Sequence, residues 1–203
     1  MLLHHVYTTL AALAVLPTGL LAWDWEPIDE RDYSAKQVVK KLGLVPNPEK
    51  GYFIQTFEDP VRVDNRTIST LIYYLLEGDA GESVWHKLDA YEVWHYYAGA
   101  PLTLSLSWNN GTACERHVLG PNVFNKRVEE RPQVVVPKDM WQSARSHGDW
   151  TLVGTTKADE GGSAVAPGFS PDGTILEKPD FVPKGCCKQK KRKRSAKSIR
   201  GGQ

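Results

Sequence analysis

Trp85-His86-Lys87-Leu88-Asp89-Ala90-Tyr91-Glu92-Val93-Trp94-His95-Tyr96-Tyr97-Ala98-Gly99 sets the architecture of this chain. Its fifteen residues carry two Trp, two His, three Tyr and a Glu. Aromatic rings gain nothing from facing water, so a segment this rich in them has something covering it. Residues 85–88 and 92–97 read as two short strands joined by a turn at Asp89-Ala90-Tyr91. Alternation places Glu92, Trp94 and Tyr96 on one face and Val93, His95 and Tyr97 on the other. One face is expected to line a pocket. The other is expected to be buried in a core, a second sheet or a partner.

Outward from this stretch the period of two persists. Residues 51–57, 67–76, 112–119, 132–137 and 149–157 read as further strands, rich in β-branched and aromatic residues. Between residues 101 and 108, Leu102, Leu104, Leu106 and Trp108 alternate with Thr103, Ser105 and Ser107, which predicts a half-buried strand. Asn109-Asn110-Gly111 is a strong hairpin signal. Residues 58–66 read as a charged loop, 121–131 as a polar connection with room for one helical turn, and 142–148 as a polar loop. Before the strands, Ser34 and Gln37 form a capping-box pattern for a helix over 35–42, which Gly43 ends. Many short strands joined by turns predict a mainly β chain, an antiparallel barrel or jelly roll with one short N-terminal helix.

The spacing His86-x-Leu88-x3-Glu92-x6-Gly99 resembles the first cupin motif, G-x5-H-x-H-x3,4-E-x6-G. Pro137-Lys138-Asp139-Met140-Trp141-Gln142 resembles the second, P-x-G-x2-H. WHKLDAYEVWHYYAG, RPQVVVPKDMWQ and WTLVGTTKA together are similar to single-domain cupins of the Cupin_5 type, a domain of unknown function. The resemblance covers residues 35–182 and implies an antiparallel double-stranded β-helix of the RmlC-like kind. It also implies a pocket comparable to those of sugar-nucleotide epimerases, and assembly as a homodimer. The outward aromatics Trp85 and Tyr97 would suit that interface.

Three positions depart from the cupin pattern. Leu88 stands where a second metal-binding His would be, Gln142 where the last His would be, and Asp139 where a Gly would be. His86, Glu92 and Gln142 could still hold a divalent ion with water, the one cofactor the sequence suggests, though the donor mix selects no particular metal. In the other reading, these groups hydrogen-bond a ligand or one another.

Two function classes follow. One is a metal-independent isomerase or epimerase acting on a sugar-like or oxygenated metabolite, which needs a base beside a carbonyl and an acid to return the proton. His86 is the candidate base, because imidazole titrates near neutral pH, with Glu92 to orient it and Tyr96, or Tyr73 or Tyr97, as acid. Gln55, Tyr73, Trp94, His95, Arg131, Trp141 and Gln142 are the candidate ligand contacts, with Arg131 for an anionic group and the Trp residues as walls. The other class is a non-catalytic binding protein using the same pocket. A metal-dependent oxygenase ranks third.

The 203 residues suit one domain with a sizeable core. Twenty-five basic and twenty-four acidic residues nearly cancel, so no nucleic-acid partner is expected. Residues 1–22, with the apolar run 10–16, read as a signal peptide too short to span a bilayer, and 23–34 as a lead-in. Asn65-Arg66-Thr67 and Asn110-Gly111-Thr112 are glycosylation sequons that agree with a secretory route. Residues 183–203 form a basic, disordered-type tail centred on 188–194, which alternatively reads as a nuclear signal in a cytoplasmic or nuclear protein. Cys114, Cys186 and Cys187 are three, so at least one thiol stays free or pairs between chains, and the fold is expected to rest on its core rather than on disulfides.

Overall fold

The computed structural model describes residues 32–63, 66–158 and 174–186. In chain order they form α1 (Ala35–Leu42), β1 (Val45–Pro46), β2 (Tyr52–Glu58), β3 (Arg62–Val63), β4 (Arg66–Thr67), β5 (Ser69–Glu77), β6 (His86–Leu88) and β7 (Tyr91–Gly99). There follow β8 (Leu102–Ser107), β9 (Glu115–Leu119), β10 (Glu130–Arg131), β11 (Gln133–Val136), β12 (Trp141–Ser146), β13 (Trp150–Ala158) and β14 (Thr174–Leu176). The signal-peptide reading, the sequon residue Asn65 and the basic run 188–194 lie outside the described residues.

The helix forms where its caps predict. Ser34 Oγ accepts from the Gln37 backbone, the Gln37 side chain returns to the Ser34 backbone, and Gly43 ends the helix at φ 68. Its apolar side, Val38, Val39 and Leu42, packs beside Leu75, Tyr52 and Ile54 on one face of a sheet.

The strands make the expected jelly roll. One six-stranded sheet has the order β1-β2-β5-β13-β7-β11, the other β10-β9-β8-β12-β6-β14, and among the described residues only β10 and β9 pair in parallel. The aromatic stretch joins them: it begins as β6 in the second sheet and continues as β7 in the first. Apolar side chains from the two facing sides, among them Tyr74, Trp94, Leu104, Leu106, Val136 and Val153, meet in the core. Gly99 is required where the motif has it. Its φ is 88, and a Cβ there would lie 2.5 Å from the Trp150 carbonyl oxygen. Asp139, which stands where the motif has a glycine, adopts a left-handed conformation at φ 64, which a short polar side chain tolerates.

Several expectations are corrected. Residues 142–146 are not a loop but belong to β12, paired with β8 from Trp141↔Ser107 to Ser146↔Leu102. Residues 58–66 are not all loop, since β3 and β4 pair within them. Residues 121–129 form turns without a helical turn. β8 is buried on both faces rather than one. On its outer face Thr103 Oγ1 meets His147 Nε2 at 2.6 Å, and a strap leaves β14 and crosses the outer side of the same sheet. Glu177 N donates to Trp85 O at 3.1 Å, Phe181 packs on Trp141 with ring centroids 5.1 Å apart, and Lys184 N donates to Asn109 Oδ1 at 2.7 Å. The strap ends in a Cys114–Cys186 disulfide with Cα atoms 5.1 Å apart, so a covalent staple does supplement the core. Trp85 is buried within the chain, and of the two expected interface aromatics only Tyr97 is exposed.

Candidate functional site

A cavity of about 730 Å³ opens at one end of the space between the sheets, a volume suited to a metabolite. Its polar floor is made by His86 of β6, Glu92 and Trp94 of β7, and Glu49 from the loop between β1 and β2. Phe53 and Ile72 add apolar wall, and Thr155 and Lys157 of β13 share the face of Val153 by simple alternation. Arg62 and Arg66, on the β3–β4 hairpin, stand at the rim.

His86 is buried and held at Nδ1. That nitrogen lies 3.2 Å from Val84 O and 3.6 Å from Glu49 Oε2. Both neighbours are acceptors, so in neutral imidazole the hydrogen sits on Nδ1 and the lone pair on Nε2. Glu92 does not orient His86. Its Oε2 accepts from Gln142 Nε2 at 2.6 Å and from Trp94 Nε1 at 3.1 Å, and Trp94 Nε1 also donates to Gln142 Oε1 at 2.9 Å. Three buried polar side chains thereby satisfy one another, and Gln142 stands opposite His86 where β12 meets β6.

Charge is organised around Asp89. Arg66 grips it with two bonds of 2.8 Å, and Lys157 Nζ lies 3.8 Å away. Tyr74, edge-on to Trp94, donates to Lys50 O at 3.1 Å. Burial raises its phenol well above the usual range, the negative charges of Glu49 and Glu92 add to the rise, and a hydrogen bond with Ser83 opposes it.

Of the residues expected from sequence, His86, Glu92, Trp94 and Gln55 line the cavity. Gln142 lies behind its wall, through Glu92 and Trp94. The others are placed elsewhere. Tyr73 and Tyr97 pack edge-to-face, centroids 5.9 Å apart, and with His95, 3.5 Å from Thr156 Oγ1, occupy the opposite face of the first sheet. Tyr96 shares the inner face, but its hydroxyl donates to Gly99 O at 2.6 Å. Arg131 is exposed and bonds Glu129. Trp141 faces away from the core, under Lys87 and Phe181. Glu49, Arg66, Asp89 and Lys157 were not anticipated. Alternation from Val153 could have pointed to Lys157, whereas the loop position of Glu49 carries no periodic signal.

The proposed metal set does not fit. Gln142 commits its oxygen to Trp94 and its nitrogen to Glu92, which leaves two donors, His86 and Glu92. Among the described residues no group of three or more His, Cys, Asp or Glu is arranged to hold an ion. Nor, among them, is any helix long and apolar enough to cross a membrane.

Residues 36–176 match the family described as Cupin superfamily (DUF985). The structure is similar to protein SO0799 from Shewanella oneidensis, at 28% identity and TM-score 0.59 over 71% of this chain and 85% of that one. It is also similar to a hypothetical protein from Leishmania major, at 26% identity and TM-score 0.56 over 62% of this chain and 81% of that one. No curated protein matches the chain.

Proposed function

The chain belongs to the Cupin superfamily (DUF985), and from that premise we propose that its cavity binds a small sugar-like or oxygenated metabolite and isomerises it without a metal. The observation that carries this is the setting of His86. Its Nδ1 is held by Val84 O and faced by Glu49, which leaves Nε2 as the basic nitrogen on a cavity-lining ring. His86 removes a proton next to a carbonyl. Lys157, a cation on the same cavity that Asp89 holds less closely than it holds Arg66, stabilises the negative oxygen that develops. The imidazolium then returns the proton to the neighbouring carbon. The hydroxyl proton of the enediolate passes to the neighbouring oxygen, which completes the carbonyl shift with His86 as the one base acting on carbon. Epimerisation needs an acid on the opposite face, and none of Tyr73, Tyr96 and Tyr97 lines the cavity. Phe53 and Trp94 suit the apolar face of a sugar ring. The test is exchange of a substrate C–H with deuterated water, expected with the native protein and absent after His86→Ala.

A non-catalytic binding protein is the second reading. The closed Glu92–Gln142–Trp94 network favours it, because groups satisfied by one another are built to stay still. In that case His86→Ala weakens affinity and no ligand turns over.

We also propose a secretory route. The Cys114–Cys186 disulfide supports it, as does the exposed sequon Asn110, whose Oδ1 accepts from the Thr112 hydroxyl at 2.7 Å. A mass loss on enzymatic deglycosylation that Asn110→Gln abolishes would bear this out, and protein retained inside the cells with Asn110 unmodified would count against it. Exposed Tyr97 and Val135, on the outer face of the first sheet, support a homodimer, which light scattering would test.

A further inference from the structure

We propose that the Cys114–Cys186 disulfide is a clasp that holds the His86 wall of the cavity in place, and that its reduction by a dithiol loosens that wall. The lightly held element of the cavity wall is β6. This strand is three residues long, and its ladder to β12 is the single pair His86↔Gln142. On its other side β14 contributes three pairs, Leu88↔Thr174, Lys87↔Ile175 and His86↔Leu176. The bond from Asp139 N to Leu88 O, at 2.8 Å, adds one more tie at the end of the strand. β14 therefore supplies three of the four ladder pairs of β6, while Ser83 N to Ala144 O at 2.8 Å and Val84 N to Glu49 O at 3.0 Å tie the residues just before it.

β14 itself is a three-residue edge strand, and such an element has little stability of its own. Thr174 and Leu176 also line the cavity, so the strand is wall as well as support. What holds it is the strap that follows. Glu177 N bonds Trp85 O, Phe181 rests on Trp141, Pro183 is fully buried, and Lys184 N bonds Asn109 Oδ1. The strap crosses from β14, over β6 and β12, to the loop between β8 and β9, where Cys186 meets Cys114. Without the disulfide, the strap is kept by a handful of contacts near one end of a sheet. With it, the strap cannot leave.

Both cysteines are partly exposed, so a reductant reaches the bond. A thiolate of the dithiol attacks one sulfur, and the other leaves as thiolate and takes up a proton. The second thiol of the reductant then resolves the mixed disulfide. Two electrons and two protons pass to the chain, giving thiols at Cys114 and Cys186, and the reductant ends as a disulfide. The loosening of β6 follows from the pairing alone. Its consequence for ligand binding rests on the cavity being the binding site.

The test is amide hydrogen exchange on the full-length chain, oxidised and after brief treatment with dithiothreitol, and on Cys114→Ser. Cys187→Ser, which leaves the clasp intact, is the control. Exchange over 174–186 and 86–88 is expected to quicken by at least ~10-fold in the reduced protein and in Cys114→Ser, and not in the control. The β5–β13 amides around Leu75 and Val153 are expected to stay protected, which separates loosening from unfolding. Should Cys114→Ser fail to fold, the reduced wild-type protein gives the same reading. Unchanged exchange at 86–88 after complete reduction, or a change confined to 184–186, overturns the proposal. These outcomes need no ligand, so an empty or inert cavity would count against the proposed activity without touching the clasp.

Discussion

Gln142 donates through Nε2 to Glu92 Oε2 at 2.6 Å, across fifty positions of sequence and from one sheet to the other. The amide occupies the place where the cupin pattern would put a metal-binding histidine, and it spends both its polar atoms inside the protein. Gln142→Ala removes the donor to a buried carboxylate and the acceptor of the Trp94 indole, and leaves a void. It is expected to cost about 2–4 kcal/mol, seen as a lower urea midpoint at unchanged slope. A shift below ~0.5 kcal/mol would mean that the network is not formed.

Arg66, at the cavity rim, makes a two-bonded ion pair with the buried Asp89. Arg66→Ala leaves the Asp89 carboxylate with Lys157 at 3.8 Å as its remaining cation. About 3–5 kcal/mol of stability should be lost. Adding Asp89→Asn to that variant is expected to recover part of the loss, because no unpaired charge then stays buried. Additive losses in the cycle would show that the two residues do not interact.

Tyr74 predicts a dependence on alkaline pH. Its ordinary value is 10.0, and in the folded protein it is raised well above that, first by burial and then by Glu49 and Glu92. The neutral phenol is favoured in the folded state, so the contribution is fully present below about pH 10 and fades as pH rises toward the folded value. Tyr74→Phe loses the bond to Lys50 O at every pH, but its stability should fall less steeply above pH 10 than that of the wild type. Parallel curves for the two proteins would contradict the assignment.

Gly99 and Asp139 make a contrasting pair. Gly99→Ala puts a Cβ against the Trp150 carbonyl at φ 88 and is expected to cost about 1–3 kcal/mol. Asp139→Gly, at φ 64, relieves a left-handed residue and should be neutral or stabilising by up to ~1 kcal/mol. Thermal melts of the two variants compare them directly.

Local rules carried much of this fold. The capping box at Ser34, the alternation of Leu102, Leu104 and Leu106, and the ring-rich run 85–99 each pointed to the element that formed, because each depends on near neighbours. The misreadings concern what lies across space. Residues 142–146 look like a loop, yet Gln142 is buried because Glu92 and Trp94 satisfy it, and the Ser/Thr side of β8 is buried against groups that no local period announces, among them His147 on Thr103. Within the site, His86, Glu92 and Trp94 were reachable from motif spacing. Arg131 was chosen for charge alone, and Arg66 was hidden inside a sequon. Glu49 was out of reach, since nothing local ties that loop to an imidazole thirty-seven residues on.

The most direct test of the central claim is proton NMR in deuterated water. A panel of aldoses, ketoses and hydroxy-keto acids would be incubated with wild-type protein and with His86→Ala, with binding to each protein followed by ligand line broadening. At least one bound compound is expected to lose a C–H signal next to its carbonyl with the wild type, and to keep it with His86→Ala while still binding. Equal exchange with both proteins, or binding to the wild type with no exchange in any compound, would contradict His86 as the base and leave a cavity that only holds its ligand.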